Sequence, residues 1–175
     1  PVAELNAWYH MLNCGFRLGF LGETDFPCLT GERVGCGRTY VQVEQRPIGD
    51  AGYESWVRNL QQGQLYAGDG RSHFLKFSVN AQSSGAADVE LSAPGTVVVK
   101  VLVAARLEPE ITPETEALRT ARSAEWVWGW HLEKARLGAS RDVAVELVVN
   151  GIAVDKVAIV ADGTLRELDF RVSIE

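Results

Sequence analysis

The second half of the chain carries short apolar runs that alternate in polarity or are rich in β-branched residues, with turn residues between them. Runs of this kind favour β-strands. Asn150-Gly151 and Asp162-Gly163 have the sequence of two-residue hairpin turns, so we expect a meander at the end of the chain. Together the runs predict a mostly antiparallel, immunoglobulin-like β-sandwich over residues 71–175, truncated at its end. The strand candidates are Phe74–Val79, Val89–Leu91, Thr96–Ala105, Glu125–Leu137, Val143–Val149, Ile152–Val160 and Leu165–Ile174.

Residues 1–70 mix helical and strand periodicities. One of the runs, Phe16–Leu21, is apolar on both faces, which favours a strand buried in a parallel sheet. A helix, a buried strand and acidic residues at the strand's end are the layout of one unit of an α/β barrel. We therefore expect an α+β fold, in which a small N-terminal α/β segment (residues 1–70), a barrel remnant, packs on the sandwich (residues 71–175). The helix candidates are Ala3–Cys14 and Tyr53–Gln62, and the strand candidates are Phe16–Leu21, Thr39–Val43 and Gln64–Ala67.

Two acidic residues follow the first predicted strand, Glu23 and Asp25. A carboxylate at the end of a strand is held firmly while the following loop leaves it open, and this suits a divalent cation. Asp25 can equally cap a turn or the bend that Pro27 makes. The residue types alone leave both interpretations open.

The sequence contains three cysteines, an odd and small number that argues against a disulfide scaffold. Cys28 and Cys36 are close enough along the chain to pair, or to act as metal thiolates with Cys14 or His10. Their spacing fits no common zinc signature. We expect buried free thiols that behave as small apolar side chains.

Trp126, Trp128 and Trp130 recur at every second position, so a strand would present all three on one face. Aromatic side chains on an exposed face can stack on sugar rings or on a partner protein. Large aromatic side chains are more often part of a core. The motif Gly68-Asp69-Gly70-Arg71-Ser72-His73 is interpreted as the turn between the two domains, since neighbours in sequence do not form a catalytic triad.

Composition and charge argue against nucleic-acid binding and against a membrane-spanning helix. The formal net charge is -6 and the sequence shows no cluster of Lys and Arg, so nucleic-acid binding is not expected. A run of about 18 apolar residues, which a membrane helix needs, is absent from the sequence.

The chain begins at Pro1 and ends inside a strand-like run, so we expect part of a longer protein. A signal for export would then lie upstream, and the sequence does not indicate an oligomeric state.

Three stretches resemble the C-terminal part of the PHP (polymerase and histidinol phosphatase) superfamily of metal-dependent hydrolases, in its carbaryl-hydrolase-like branch. These stretches are Asn13-Cys14-Gly15-Phe16-Arg17-Leu18, Glu23-Thr24-Asp25 and Gly35-x-Gly37-Arg38-Thr39-Tyr40-Val41. The resemblance continues through Tyr53, Trp56, Leu60, Gly63 and Tyr66, and family members often carry a β-sandwich after the barrel. It implies that Asp25 is a metal ligand, with Glu23 as a second candidate, for zinc or manganese in the full-length protein.

The chain departs from the family pattern at two places. Pro27 stands where the family commonly has a metal-binding His, and Glu23 stands where it has the Gly of a Gly-Ser-Asp motif. The family's His-x-His motif is absent, since His10, His73 and His131 are isolated. We therefore expect this chain to hold no resident metal cofactor, because a single carboxylate ligand binds a divalent ion only weakly. We expect the chain to be inactive by itself, as part of a hydrolase of a small-molecule ester or phosphoester. The competing interpretation is a non-enzymatic β-sandwich module that binds a glycan or a protein.

Overall fold

The structure is a computed structural model that describes residues 2–26, 28, 34–35, 37–43, 49–120, 136 and 138–174. It combines helices with antiparallel sheets, which confirms the mixed α+β class with a sheet sandwich. None of the helices in these ranges is long and apolar enough to cross a membrane. The elements are α1 (Val2–Asn13), β1 (Arg38–Val41), α2 (Gly49–Gln61), β2 (Leu65–Gly68), β3 (Ser72–Val79), β4 (Gln82–Ser83), β5 (Gly95–Ala105), α3 (Pro113–Thr120), β6 (Asp142–Val149), β7 (Ile152–Val160) and β8 (Arg166–Ile174).

The sandwich has two layers. A four-stranded sheet with the order β4-β3-β5-β8 forms one layer, and the β6-β7 hairpin forms the other. β5 lies at the centre of the core: every second residue from Val97 to Val103 is a buried valine, as the period of a strand requires. Val145 of β6, Ile159 of β7 and Phe170 of β8 complete the core. The hydrophobic core among the described residues therefore lies between these two layers.

The two predicted hairpin turns differ in outcome. Asn150 and Gly151 both have positive φ, 53° and 83°, and connect the paired strands β6 and β7 as predicted. The predicted pairing across Asp162-Gly163 is wrong, because β8 pairs with β5. The Gly163 N–H donates to the Ala105 carbonyl at 2.8 Å. The turn is therefore a corner where the chain passes from one layer to the other.

Two predicted strands are wrong. Phe16–Leu21 and Val89–Leu91 have no strand conformation, although both lie within the described residues. Phe16 and Leu21 are 59% and 53% exposed, so the apolar run does not make the buried strand that its composition indicates. A strand needs a ladder partner on at least one edge, and the strand pairings of the described residues involve neither run.

The segment 16–21 packs on α1 instead. The Trp8 indole N–H donates to the Leu18 carbonyl at 2.8 Å. The Trp8 ring lies 5.4 Å from that of Phe20. β1 and β2 then pair as an antiparallel two-stranded sheet beside α2. Gly63, two residues after the end of α2, has a φ of 77°, as is common where the chain leaves a helix.

Polar contacts connect residues 2–68 to the sandwich. The Ser84 hydroxyl donates to the Gly63 carbonyl at 2.8 Å. Arg17 pairs with Asp88 at 2.7 Å, although both side chains are largely exposed. The turn 69–71 joins β2 directly to β3. The candidate site described next therefore lies close to the junction between the two regions.

Candidate functional site

Close backbone approach holds the acidic loop beside β1. The Thr39 hydroxyl donates to the Gly22 carbonyl and accepts from the Gly22 N–H, each at 3.0 Å. A Cβ on Gly22 would lie 2.6 Å from the Arg38 carbonyl oxygen, and a Cβ on Gly37 would overlap the Glu23 backbone. Only glycine fits at both positions. This contact fixes where the loop with Glu23 and Asp25 begins.

Asp25 has an uncommon backbone conformation, with φ of 51°. Asp tolerates this left-handed region better than most residues do. Its carbonyl accepts from the Cys28 N–H at 2.8 Å, which closes a turn. Its side chain is exposed, as is that of Glu23. The backbone of Asp25 therefore shapes the turn while its carboxylate stays accessible, and its role as a metal ligand stays a prediction.

The carboxylates of Glu23 and Asp25 are not joined by further ligands within the described part of the chain. There, no group of three or more His, Cys, Asp or Glu side chains is arranged to hold a metal ion. Pro27, at the family's histidine position, lies outside the described residues. The two acids could supply part of a coordination sphere, and a divalent ion takes several oxygen or nitrogen ligands.

Arg38 begins β1 next to this loop, and two glycines hold its guanidinium. Its Nε–H donates to the Gly35 carbonyl at 2.6 Å, and a terminal N–H donates to the Tyr40 hydroxyl at 3.4 Å. A Cβ on Gly70 would lie only 2.5 Å from that terminal nitrogen. Arg38 is exposed, and no carboxylate oxygen of the described residues lies within salt-bridge distance of it. The guanidinium of Arg38 is therefore oriented, and its remaining N–H groups are available to donate to an oxyanion.

An aromatic and imidazole cluster continues from Arg38 into the sandwich. Tyr40 stacks on Tyr66 with ring centroids 4.8 Å apart, and its ring meets His73 edge-on at 5.2 Å. The Tyr66 hydroxyl and the His73 Nδ1 are 2.7 Å apart. The tautomer of the imidazole sets the direction of this hydrogen bond: the hydroxyl donates when Nδ1 carries no proton and accepts when Nδ1 carries one. Burial, and then the neighbouring Tyr40, raises the pKa of Tyr66, so this phenol stays protonated.

Asp69 organises the turn between β2 and β3. Its Oδ1 accepts the N–H groups of Arg71 and Ser72, at 2.7 Å and 3.2 Å. The residue is buried, and its Oδ2 has no partner among the described residues. The motif that contains Asp69, Ser72 and His73 thus acts as a turn, with His73 bonded to a tyrosine. Sequence analysis did not foresee the contact between Tyr66 and His73, although their positions on both sides of a tight turn suit such a pair.

The sequence also predicted roles for the cysteines and for three tryptophans. Cys14 and Cys28 are exposed free thiols, so the prediction of buried cysteines is wrong for both. They lie at a helix end and in an irregular loop, outside the core of the sandwich. Cys36 and the tryptophans Trp126, Trp128 and Trp130 lie outside the described residues. The role of the tryptophans, as core or as binding face, stays a prediction.

Comparison with known proteins adds no relative. No family model, no curated protein and no solved structure matches this chain. What the site can do chemically therefore follows from its own residues: two accessible carboxylates on a loop held against the start of β1, the guanidinium of Arg38 oriented by Gly35, and a half-buried phenol-imidazole pair.

Proposed function

We propose that this chain is part of a PHP-like, metal-dependent hydrolase that acts on an ester or phosphoester. In this proposal Asp25, assisted by Glu23, binds a divalent zinc or manganese ion. The observation that carries the proposal is the loop held between Gly22 and Gly37, which begins at a fixed place and leaves both carboxylates accessible. A divalent ion bound there would lower the pKa of a bound water and so supply the nucleophile.

Arg38 and Tyr40 have a part in the same proposal. The backbone of Arg38 lies next to Gly22, where the acidic loop begins, and the Gly35 carbonyl orients its guanidinium. The Tyr40 hydroxyl accepts from Arg38, so its own proton is free to be donated. Both groups suit an oxygen that becomes negative as an ester or phosphoester is attacked.

The proposal also assigns residues 1–70 to an α/β barrel, of which they are a remnant. Further metal ligands would come from the rest of that barrel. Since two carboxylates alone bind a divalent ion weakly, we expect the 175-residue chain to show no hydrolysis by itself.

Paramagnetic broadening by Mn²⁺ tests the site in the chain as it stands, because it detects weak binding. We expect Mn²⁺ to broaden the amide signals around Glu23, Asp25 and Cys28 first. Asp25→Asn should abolish this effect, and asparagine tolerates the same positive φ. Asp155→Asn, which removes an exposed carboxylate on β7, is the matched control. Broadening that is uniform over all exposed acids, or unchanged in Asp25→Asn, would contradict the proposal.

A further inference from the structure

A groove of about 680 Å³ runs across the outer face of the four-stranded sheet, away from the acidic loop. It reaches from β3 over β5 to β8, and Gln42 closes it on the side of residues 2–68. The charged, amide and aromatic side chains that line it include Lys76, Phe77, Asn80, Lys100, Asp169 and Arg171. The sequence contains no motif that marks this face, because its members come from three strands.

The charge of the groove is opposite to that of the chain. Three cations and one carboxylate give +2 in the groove, whereas the whole sequence carries -6. Lys100 and Asp169 form a half-exposed pair at 3.4 Å. No carboxylate of the described residues lies within salt-bridge distance of Lys76 or Arg171. The groove therefore offers cations that the described protein does not neutralise.

A β-bulge places two neighbouring side chains in this groove. The register of β3 against β5 shifts between Leu75 and Ser78. Lys76 has a φ of 51° there, and both Lys76 and Phe77 are exposed, whereas a regular strand would turn one of them inward. A cation and an apolar ring thus lie side by side.

Asn80 supplies an oriented amide at the end of the same strand. Its Oδ1 accepts the Val98 N–H at 2.9 Å, and its own backbone N–H donates to the Val98 carbonyl at 2.8 Å. These two bonds fix the side chain so that its NH₂ group remains as a donor. Asp169 adds an acceptor on the opposite side.

We propose that this groove binds a short acidic oligosaccharide, a chain of sugars that carry carboxylates. The apolar face of a sugar ring would lie on Phe77, the carboxylates would pair with Lys76 and Arg171, and ring hydroxyls would bond Asn80 and Asp169. A ring beside a few convergent polar groups is the usual composition of a small-molecule site. The groove is independent of the proposed hydrolase function, since it shares no residue with the acidic loop.

Calorimetric titration with trigalacturonate tests this inference. We expect measurable binding that weakens as salt is added, because the recognised groups are exposed charges. The neutral trisaccharide maltotriose is the matched ligand control and should bind much more weakly. The double variant Lys76→Asn with Arg171→Gln should weaken trigalacturonate binding by at least about tenfold, as expected from the loss of charged hydrogen bonds.

Lys156→Gln is the control variant, because it removes an exposed lysine of β7 on the other layer. It should bind trigalacturonate as the wild type does, and circular dichroism of each variant should be unchanged. Three results would overturn the inference: no binding to the wild type, equal binding of maltotriose, or tighter binding of pentaglutamate than of trigalacturonate. The last would identify the groove as a site for acidic peptides.

Discussion

Residues 72–174 and residues 2–68 are held in place by different forces. The buried hydrophobic side chains of the described residues all lie between Val97 and Phe170, in the sandwich. In residues 2–68, α2 has no buried residue, and Phe16 and Leu21 are more than half exposed. That region depends instead on backbone approach at Gly22 and Gly37 and on hydrogen bonds near the junction.

The difference places the candidate site in the less stabilised region. Burial of apolar surface contributes roughly 25 cal/mol per Å², whereas a single hydrogen bond adds about 1 kcal/mol net. The sandwich should therefore unfold last, and residues 2–68 should open at lower free energy. Binding loops are commonly found in such regions, since they must adapt to a ligand.

The largest expected effect is a loss of stability on replacing a buried phenylalanine, compared with an exposed one. Phe170 is 2% exposed in the core and Phe16 is 59% exposed near α1. Phe170→Ala should destabilise the protein by about 3–5 kcal/mol because it leaves a cavity, and Phe16→Ala by less than about 0.5 kcal/mol. Urea unfolding followed by fluorescence measures both. Similar losses in the two variants would mean that the regions share one core.

The second effect compares two glycines of residues 2–68. A Cβ at Gly37 would overlap the Glu23 backbone, whereas a Cβ at Gly19 meets nothing within 4 Å. Gly37→Ala should cost about 1–3 kcal/mol through overpacking, and Gly19→Ala should be close to neutral. Hydrogen exchange localises the damage: β1 amides should lose protection while β5 amides keep theirs. Unchanged protection of β1 would contradict the close approach.

The third effect concerns the hydroxyl that joins the two regions. Tyr66→Phe removes the hydrogen bond to His73 and should lower the free energy of unfolding by about 1 kcal/mol. Tyr53 is 67% exposed, so Tyr53→Phe should leave the free energy of unfolding almost unchanged. Since folding raises the pKa of Tyr66, its neutral form stabilises the protein below about pH 10, and this contribution is lost as the pH rises further. Absorbance titration should show one fewer late-titrating tyrosine in Tyr66→Phe. A titration curve without such a late component in the wild type would contradict the burial of Tyr66.

The smallest effect tests the corner between the two layers of the sandwich. Hydrogen bonds from Arg166, and then from the Thr164 backbone, hold the pKa of the Asp162 carboxyl well below its usual range. A lowered folded pKa means that the pair stabilises the fold above about pH 4 and that this contribution disappears as the pH falls. The stability difference between wild type and Asp162→Asn should therefore shrink below that pH.

The sandwich was predictable from sequence because its signals are local. β-branched alternation located β5, β6 and β7, and Asn150-Gly151 located the hairpin. The partner of β8 was not predictable, because a Gly-containing corner and a hairpin turn share the same residues and differ only in tertiary hydrogen bonds. The pairing with β5 depends on the burial of Phe170 opposite Val99.

The candidate site was predictable only as a list of residue types. Glu23 and Asp25 were recognisable as acids after an apolar run, yet the run Phe16–Leu21 is not a strand. Its composition satisfies strand propensity, but a strand also needs a neighbour, which a local pattern does not specify. The contact of Arg38 with Gly70 depends on the approach of two segments far apart in sequence, and its bond to the nearby Gly35 depends on an irregular turn, so no periodicity could indicate either.

Calorimetry and metal analysis of the full-length protein test the central proposal most directly. Zn²⁺ or Mn²⁺ should bind at a defined stoichiometry, and Asp25→Ala should weaken or abolish binding, whereas Asp155→Ala should leave it unchanged. A full-length protein that binds neither ion, or that binds them equally well after Asp25→Ala, would contradict the assignment of Asp25 as a metal ligand.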